Sequence, residues 1–142
     1  PQGNRIEGYR AALALKGYAD HVVIDEEFSE IGGTRAAETI LSGDFKPTAI
    51  FAANDLMAIG VMQALRERNI DIPRDIAVVG FDDISAAKLV TPPLTTVAQF
   101  QRQMGEQAAK TLMERLQGTK IGAGTALEMP FNLIQRGSTR AT

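Results

Sequence analysis

Three short apolar runs, HVVID at His21–Asp25, TAIFAA at Thr48–Ala53 and IAVVGF at Ile76–Phe81, alternate with stretches of helical periodicity. Runs this short, bounded by turn residues and lacking polar alternation, mark strands buried on both faces, as in parallel sheets. Alternating strands and helices imply right-handed crossovers, which lay helices on both sides of the sheet. The expected fold is therefore α/β: a parallel sheet flanked by helices.

The segments between the runs carry helix signals of their own. Asn4 to about Lys16 reads as a helix, with Asn4 as N-cap, Glu7 at capping-box spacing, an Ile6/Tyr9/Leu13 stripe and Gly17 as the stop. Gly32–Ser42 reads as a second, with Ala37, Ile40 and Leu41 facing inward. Asp55–Arg68 is the strongest, since Ala58, Val61, Met62 and Leu65 recur at i, i+3, i+4 and i+7. Beyond Asp82 the rhythm changes. A short helix over Ile84–Val90 is broken by Thr91-Pro92-Pro93, Leu94–Ala98 is extended, and Phe100–Gln117 is a long helix with Leu112, Met113 and Leu116 on one face. Ala126–Ile134 is strand-like, and Pro130 within it demands a sheet edge or a bend. A helix that opens on a Gly-Asn turn normally follows a strand, so a strand upstream of Pro1, in a longer protein, is expected.

Composition narrows the chemistry. With no cysteine in 142 residues, disulfides, thiolate zinc sites and thiol nucleophiles are excluded. A single histidine, His21, leaves no basis for a His triad or a multi-His metal site, and it reads as structural or exposed. Fifteen basic residues against seventeen acidic ones give a net charge of −2, which holds no polyanion by charge alone. No apolar run approaches the roughly 20 residues needed to span a bilayer. No catalytic residue, cofactor or metal is assigned, and no membrane partner is expected.

Ligands of open parallel sheets bind beyond the carboxyl ends of the strands. Asn54-Asp55, Asp82-Asp83 and Asp25-Glu26-Glu27-Phe28 each follow one of the apolar runs. Arg5 is the oddity: a cation in the first turn of a helix opposes the dipole at a cost of about 0.3–1 kcal/mol. Asp82 or Asp83 is the anion expected to offset it. Arginine only donates, an ionised aspartate only accepts and asparagine does both, a set suited to polyhydroxylated ligands. Each residue also has a plainer reading. Asn54 fits the N-cap of the next helix, Asp82-Asp83 fit caps of the short one, Arg5 fits a solvated surface residue, and Phe28 fits a lid over the core.

Two long motifs carry a resemblance. They are Ala49-Ile50-Phe51-Ala52-Ala53-Asn54-Asp55-Leu56-Met57-Ala58-Ile59-Gly60, and Ile72-Pro73 with Asp75-Ile76-Ala77-Val78-Val79-Gly80-Phe81-Asp82-Asp83-Ile84 and Pro92-Pro93-Leu94-Thr95-Thr96-Val97. Arg5-x-x-Gly8, the helix Met104 to Gly118 and Leu133-Ile134-Gln135-Arg136-Gly137-Ser138-Thr139 agree with them. Over nearly its whole length the chain resembles the effector-binding region of lactose- and galactose-repressor-type bacterial transcription regulators.

The resemblance implies a periplasmic-binding-protein-like fold (type I), of which this chain is mostly the C-terminal subdomain. Residues 1–98 would be that subdomain without its first strand, 99–124 would belong to the N-terminal subdomain, and 125–142 would be a return strand and tail. It implies that Arg5, Phe28, Asn54, Asp82 and Gln99 contact a small sugar or purine effector, with Phe28 against the ligand ring. It further implies a cytoplasmic, non-enzymatic sensor in which ligand shifts the population of closed subdomains. DNA would be bound by a helix-turn-helix headpiece outside this chain. Leu56, Met57 and Ile59 make the helix Asp55–Arg68 apolar on more than one face, which fits full burial inside one subdomain; the resemblance implies instead a homodimer interface, which residues 85–90 would also serve. Two rivals remain: a periplasmic sugar-binding protein, and a Mg-dependent receiver-like module using Asp82-Asp83, with Asp55 as phosphoacceptor in reversed order.

Overall fold

The computed structural model describes residues 2–19, 21–124 and 126–139. In chain order the elements are α1 (Gln2–Leu15), α2 (Glu30–Ser42), β1 (Ala49–Phe51), α3 (Asp55–Glu67), β2 (Ala77–Phe81), a 3-10 turn (Ser85–Lys88), β3 (Thr95–Ala98), α4 (Gln101–Leu116) and β4 (Asn132–Ile134). The strands form one sheet in the order β1-β2-β3-β4. β1, β2 and β3 are parallel, with Ile50 opposite Val78 and Gly80 opposite Thr96. β4 is antiparallel to β3, with Leu133 opposite Val97. The sheet is thus mixed, because the chain returns from α4 at the opposite end and closes one edge. Pro130, just ahead of β4, stands where an edge strand tolerates a missing N–H.

The core lies between the sheet and the α2/α3 pair. Ala37, Ala58, Val61, Met62 and Leu65 meet Val78 and Leu94 there. Burying a leucine such as Leu65 contributes roughly 1.5–3 kcal/mol. The two helices touch backbone to backbone: a Cβ on Gly33 would stand 2.0 Å from the Met57 carbonyl oxygen, and one on Gly60 2.0 Å from that of Glu30. α2 starts two residues before the expected Gly32, because Ser29 caps it through a 3.0 Å bond from the Gly32 N–H to its hydroxyl. α1 likewise starts at Gln2, ahead of the cap expected at Asn4. Its stop is as read, with Gly17 at φ +74 in the left-handed region.

One expected strand is corrected. Residues 21–25 form no strand, and Val22 and Val23 are 45% and 40% exposed. A buried strand needs backbone partners, and here a cavity of about 480 Å³, lined by Val22, Val23 and Ile24 on one side and Ala49, Ile50 and Phe51 on the other, separates the run from β1. β1 is consequently an edge strand, shorter and more open than a central one. Tyr9 on α1 stacks on Phe51 with ring centroids 6.1 Å apart and meets His21 edge-on at 5.8 Å, a packing role for that histidine. The long helix α4 buries none of its residues: Leu112, Met113 and Leu116 are all exposed.

Candidate functional site

Because β1, β2 and β3 run parallel, their carboxyl ends share one rim, and the residues that follow them are Ala52–Asn54, Asp82 and Gln99. α1 brings Arg5 to the same rim. Its guanidinium donates to the Ala53 carbonyl at 2.6 Å and lies 4.0 Å from the centroid of the Phe81 ring. A cation–π contact of this kind contributes about 0.5–2 kcal/mol, depending on how dry it is. The offset to the unfavourable dipole position is thus a carbonyl and a ring in direct contact, with the Asp82 charge near enough to be felt.

Asp82 carries the acceptor. Its backbone stands at φ +117 and that of Asp83 at φ +53, two successive non-glycine residues in the left-handed half of conformational space. The Asp82 N–H donates to the Val97 carbonyl at 2.9 Å, and its carboxylate accepts from the Gln99 amide at 2.7 Å. Burial pushes the carboxyl above the usual carboxylate range, opposed by the Gln99 hydrogen bond and the Arg5 charge and reinforced by the charge of Asp55. Neither aspartate caps the short helix that follows: its N-cap is Ile84, with no side-chain bond. Asp83 is bound instead by Arg136 at 2.5 Å, so it is not the partner of Arg5.

Asn54 does cap α3, accepting from the Met57 N–H at 2.8 Å. The cap uses only the side-chain oxygen, and the amide nitrogen keeps two donors for other work. Phe28 stands apart. It lies in the loop before α2, 44% exposed, and among the described residues no aromatic or cation–π contact ties it to the rim. The loop itself is held to α2 by Arg35, whose guanidinium reaches Glu26 at 3.0 Å.

The structure therefore brings Arg5, Asn54, Asp82 and Gln99 to one rim and leaves Phe28 outside their contacts. Sequence reasoning missed Phe81, the platform under Arg5; as the last apolar residue of a strand, it looked like core. It also missed the support beneath the loop, Thr96 and Arg136. Asp55, considered above as a phosphoacceptor, is fully buried with both carboxylate oxygens accepting hydrogen bonds. Among the described residues no group of three or more His, Asp or Glu is placed to hold a metal ion. The rim offers fixed donors and acceptors, which suits recognition of a neutral polar molecule.

Residues 1–139 match the model of the periplasmic binding protein-like domain. The chain belongs to that family. The domain is 39% identical over 140 residues to the ribose operon repressor of Escherichia coli K12, a match covering 97% of this chain and 42% of the repressor. The chain thus spans less than half the length of this curated relative. Among solved structures, the domain resembles a LacI family transcriptional regulator from Enterococcus faecium with bound ribose (TM-score 0.87, 30% identity, 97% of this chain and 51% of that one). It also resembles the lac repressor dimer bound to operator and an anti-inducer (TM-score 0.87, 30% identity, 96% and 47%). In these comparisons the domain is similar to transcription regulators of the LacI family. No helix among the described residues is long and apolar enough to cross a membrane.

Proposed function

We propose that this domain is the ligand-sensing part of a cytoplasmic transcription regulator, and that its effector is a sugar of the pentose class held at the Arg5/Asn54/Asp82/Gln99 rim. The single observation that carries this is the convergence of a guanidinium, a carboxamide and a half-buried carboxylate at the carboxyl ends of three parallel strands. A sugar presents hydroxyls that both donate and accept, and each rim group satisfies one side of that requirement. Charge-assisted bonds of this kind contribute roughly 1.5–3 kcal/mol each. Phe28 belongs to the proposal as the aromatic that packs on the ligand ring.

In this reading residues 1–98 form one subdomain, 99–124 cross to a second, and 125–142 return. The slot of about 480 Å³ between β1 and residues 21–25 supports a further strand seated there. Ligand stabilises the closed arrangement of the subdomains, and a homodimer transmits that bias to a DNA-binding headpiece. The relative in E. coli is named a repressor, which favours this over the periplasmic-protein alternative.

The test is a thermal-shift and calorimetric screen of the intact protein against D-ribose, other pentoses, hexoses and purine nucleosides. A pentose is expected to raise the melting temperature saturably, and Asp82→Ala is expected to abolish that shift. Undiminished affinity in Asp82→Ala and Arg5→Ala alike would remove the site assignment.

A further inference from the structure

The loop that carries Asp82 is held from beneath by a carboxylate that is not one of the four rim groups. Asp55, the first residue of α3, is fully buried. One of its oxygens accepts from the Thr96 hydroxyl of β3 at 2.6 Å, and the other from the Ile84 N–H at 2.9 Å. Thr96 is itself a relay, because its oxygen also accepts from the Asp83 N–H at 3.4 Å. A third anchor is Arg136, which holds the Asp83 carboxylate and donates to the Leu94 carbonyl at 2.9 Å. Positive φ at two successive residues costs free energy and persists only where the surroundings over-determine it. Asp55, Thr96 and Arg136 supply that constraint.

The neighbourhood is shaped around this carboxylate. A Cβ on Gly80 would stand 2.3 Å from the Asp55 oxygen, so β2 carries no side chain where the carboxylate lies. The position at the start of a helix stabilises the negative charge that burial opposes. We propose that Asp55 is a positioning residue for the ligand rim: through Thr96 and the Ile84 N–H it fixes the 82–84 loop, and so sets where the Asp82 carboxylate stands relative to Arg5 and Gln99. This rests on the reading of Asp82 as the ligand acceptor. It also joins the loop directly to α3 through one side chain.

The groups facing Asp82 are Arg5 from α1, Asp55 from α3 and the neutral Gln99 after β3. Loss of the Asp55 carboxylate is readable without any ligand, at the amide that donates to it. In the ligand-free intact protein, Asp55→Ala is expected to speed hydrogen exchange at the Ile84 amide. Unchanged exchange there in folded Asp55→Ala overturns the proposal. Thr96 provides the second arm should Asp55→Ala fail to fold. Thr96→Val is expected to speed hydrogen exchange at the Asp83 and Ile84 amides and to weaken D-ribose binding by tenfold or more. Thr96→Ser, which keeps the hydroxyl, is expected to restore both. Equal exchange at those amides in wild type, Thr96→Val and Thr96→Ser overturns the positioning role. Absence of D-ribose binding to wild type refutes the sugar reading alone, since hydrogen exchange still decides the role of Asp55.

Discussion

At the residue scale, the informative conflict is Arg5 against the dipole of its own helix. That conflict is legible in the sequence, because a cation in a first turn needs a partner elsewhere. What the sequence could not supply is the partner's identity: a carbonyl at Ala53 and the face of Phe81 leave no mark in residue spacing. Loss of Arg5 in Arg5→Ala is expected to weaken pentose binding by about 10–100-fold, the equivalent of one charge-assisted hydrogen bond. Arg5→Lys is expected to recover little, because an ammonium lacks the planar fork that spans a carbonyl and a ring together. Calorimetry on both variants checks this. Asp82 adds a pH signature. Its raised carboxyl means that the folded protein binds this proton more tightly than the unfolded chain does. The resulting stabilisation is complete below the unfolded pKa and is lost as pH rises through the folded one. Ligand affinity runs the other way, falling as pH drops through the raised value and the acceptor is protonated. Asp82→Asn is expected to remove that dependence when the dissociation constant is followed across the acidic range.

At the element scale, α3 was the most legible piece, since its apolar period and Asn54 cap agree with each other. The run at residues 21–25 was the least. Its residue types fit a buried strand, but a strand exists only where another backbone pairs with it, and a cavity occupies that place. β4 shows the same limit from the other side, because only chain return across the sheet makes it antiparallel. The close contact of α2 and α3 makes a sharper prediction. In Gly60→Ala the new methyl group meets the Glu30 carbonyl, and stability is expected to fall by about 1–3 kcal/mol in urea unfolding. Gly105→Ala in α4, where nothing lies within 4 Å, is expected to gain about 0.5–1 kcal/mol from helix propensity. Equal effects at the two positions would contradict the packing described.

For the whole molecule, apolar surface is the defining feature. Leu112, Met113 and Leu116 line one exposed face of α4, while Leu56 on α3 and Leu89 after the 3-10 turn are exposed as well. Apolar patches of this kind mark surfaces that other chain segments cover. In the 142-residue chain, Leu112→Glu with Leu116→Glu is expected to lower self-association in sedimentation velocity runs, and unchanged association would show that α4 is not the sticky face. The rim, by contrast, needs no partner to be assembled, since α1 and three parallel strands bring its groups together within one chain. NMR titration of the intact protein with D-ribose decides whether the rim is where the ligand binds. The side-chain amides of Asn54 and Gln99 and the backbone amide of Asp82 are expected to shift together with one saturation constant. Shifts confined to Val22, Ile50 and the other residues lining the apolar cavity beside β1, with those three groups unmoved, would contradict it.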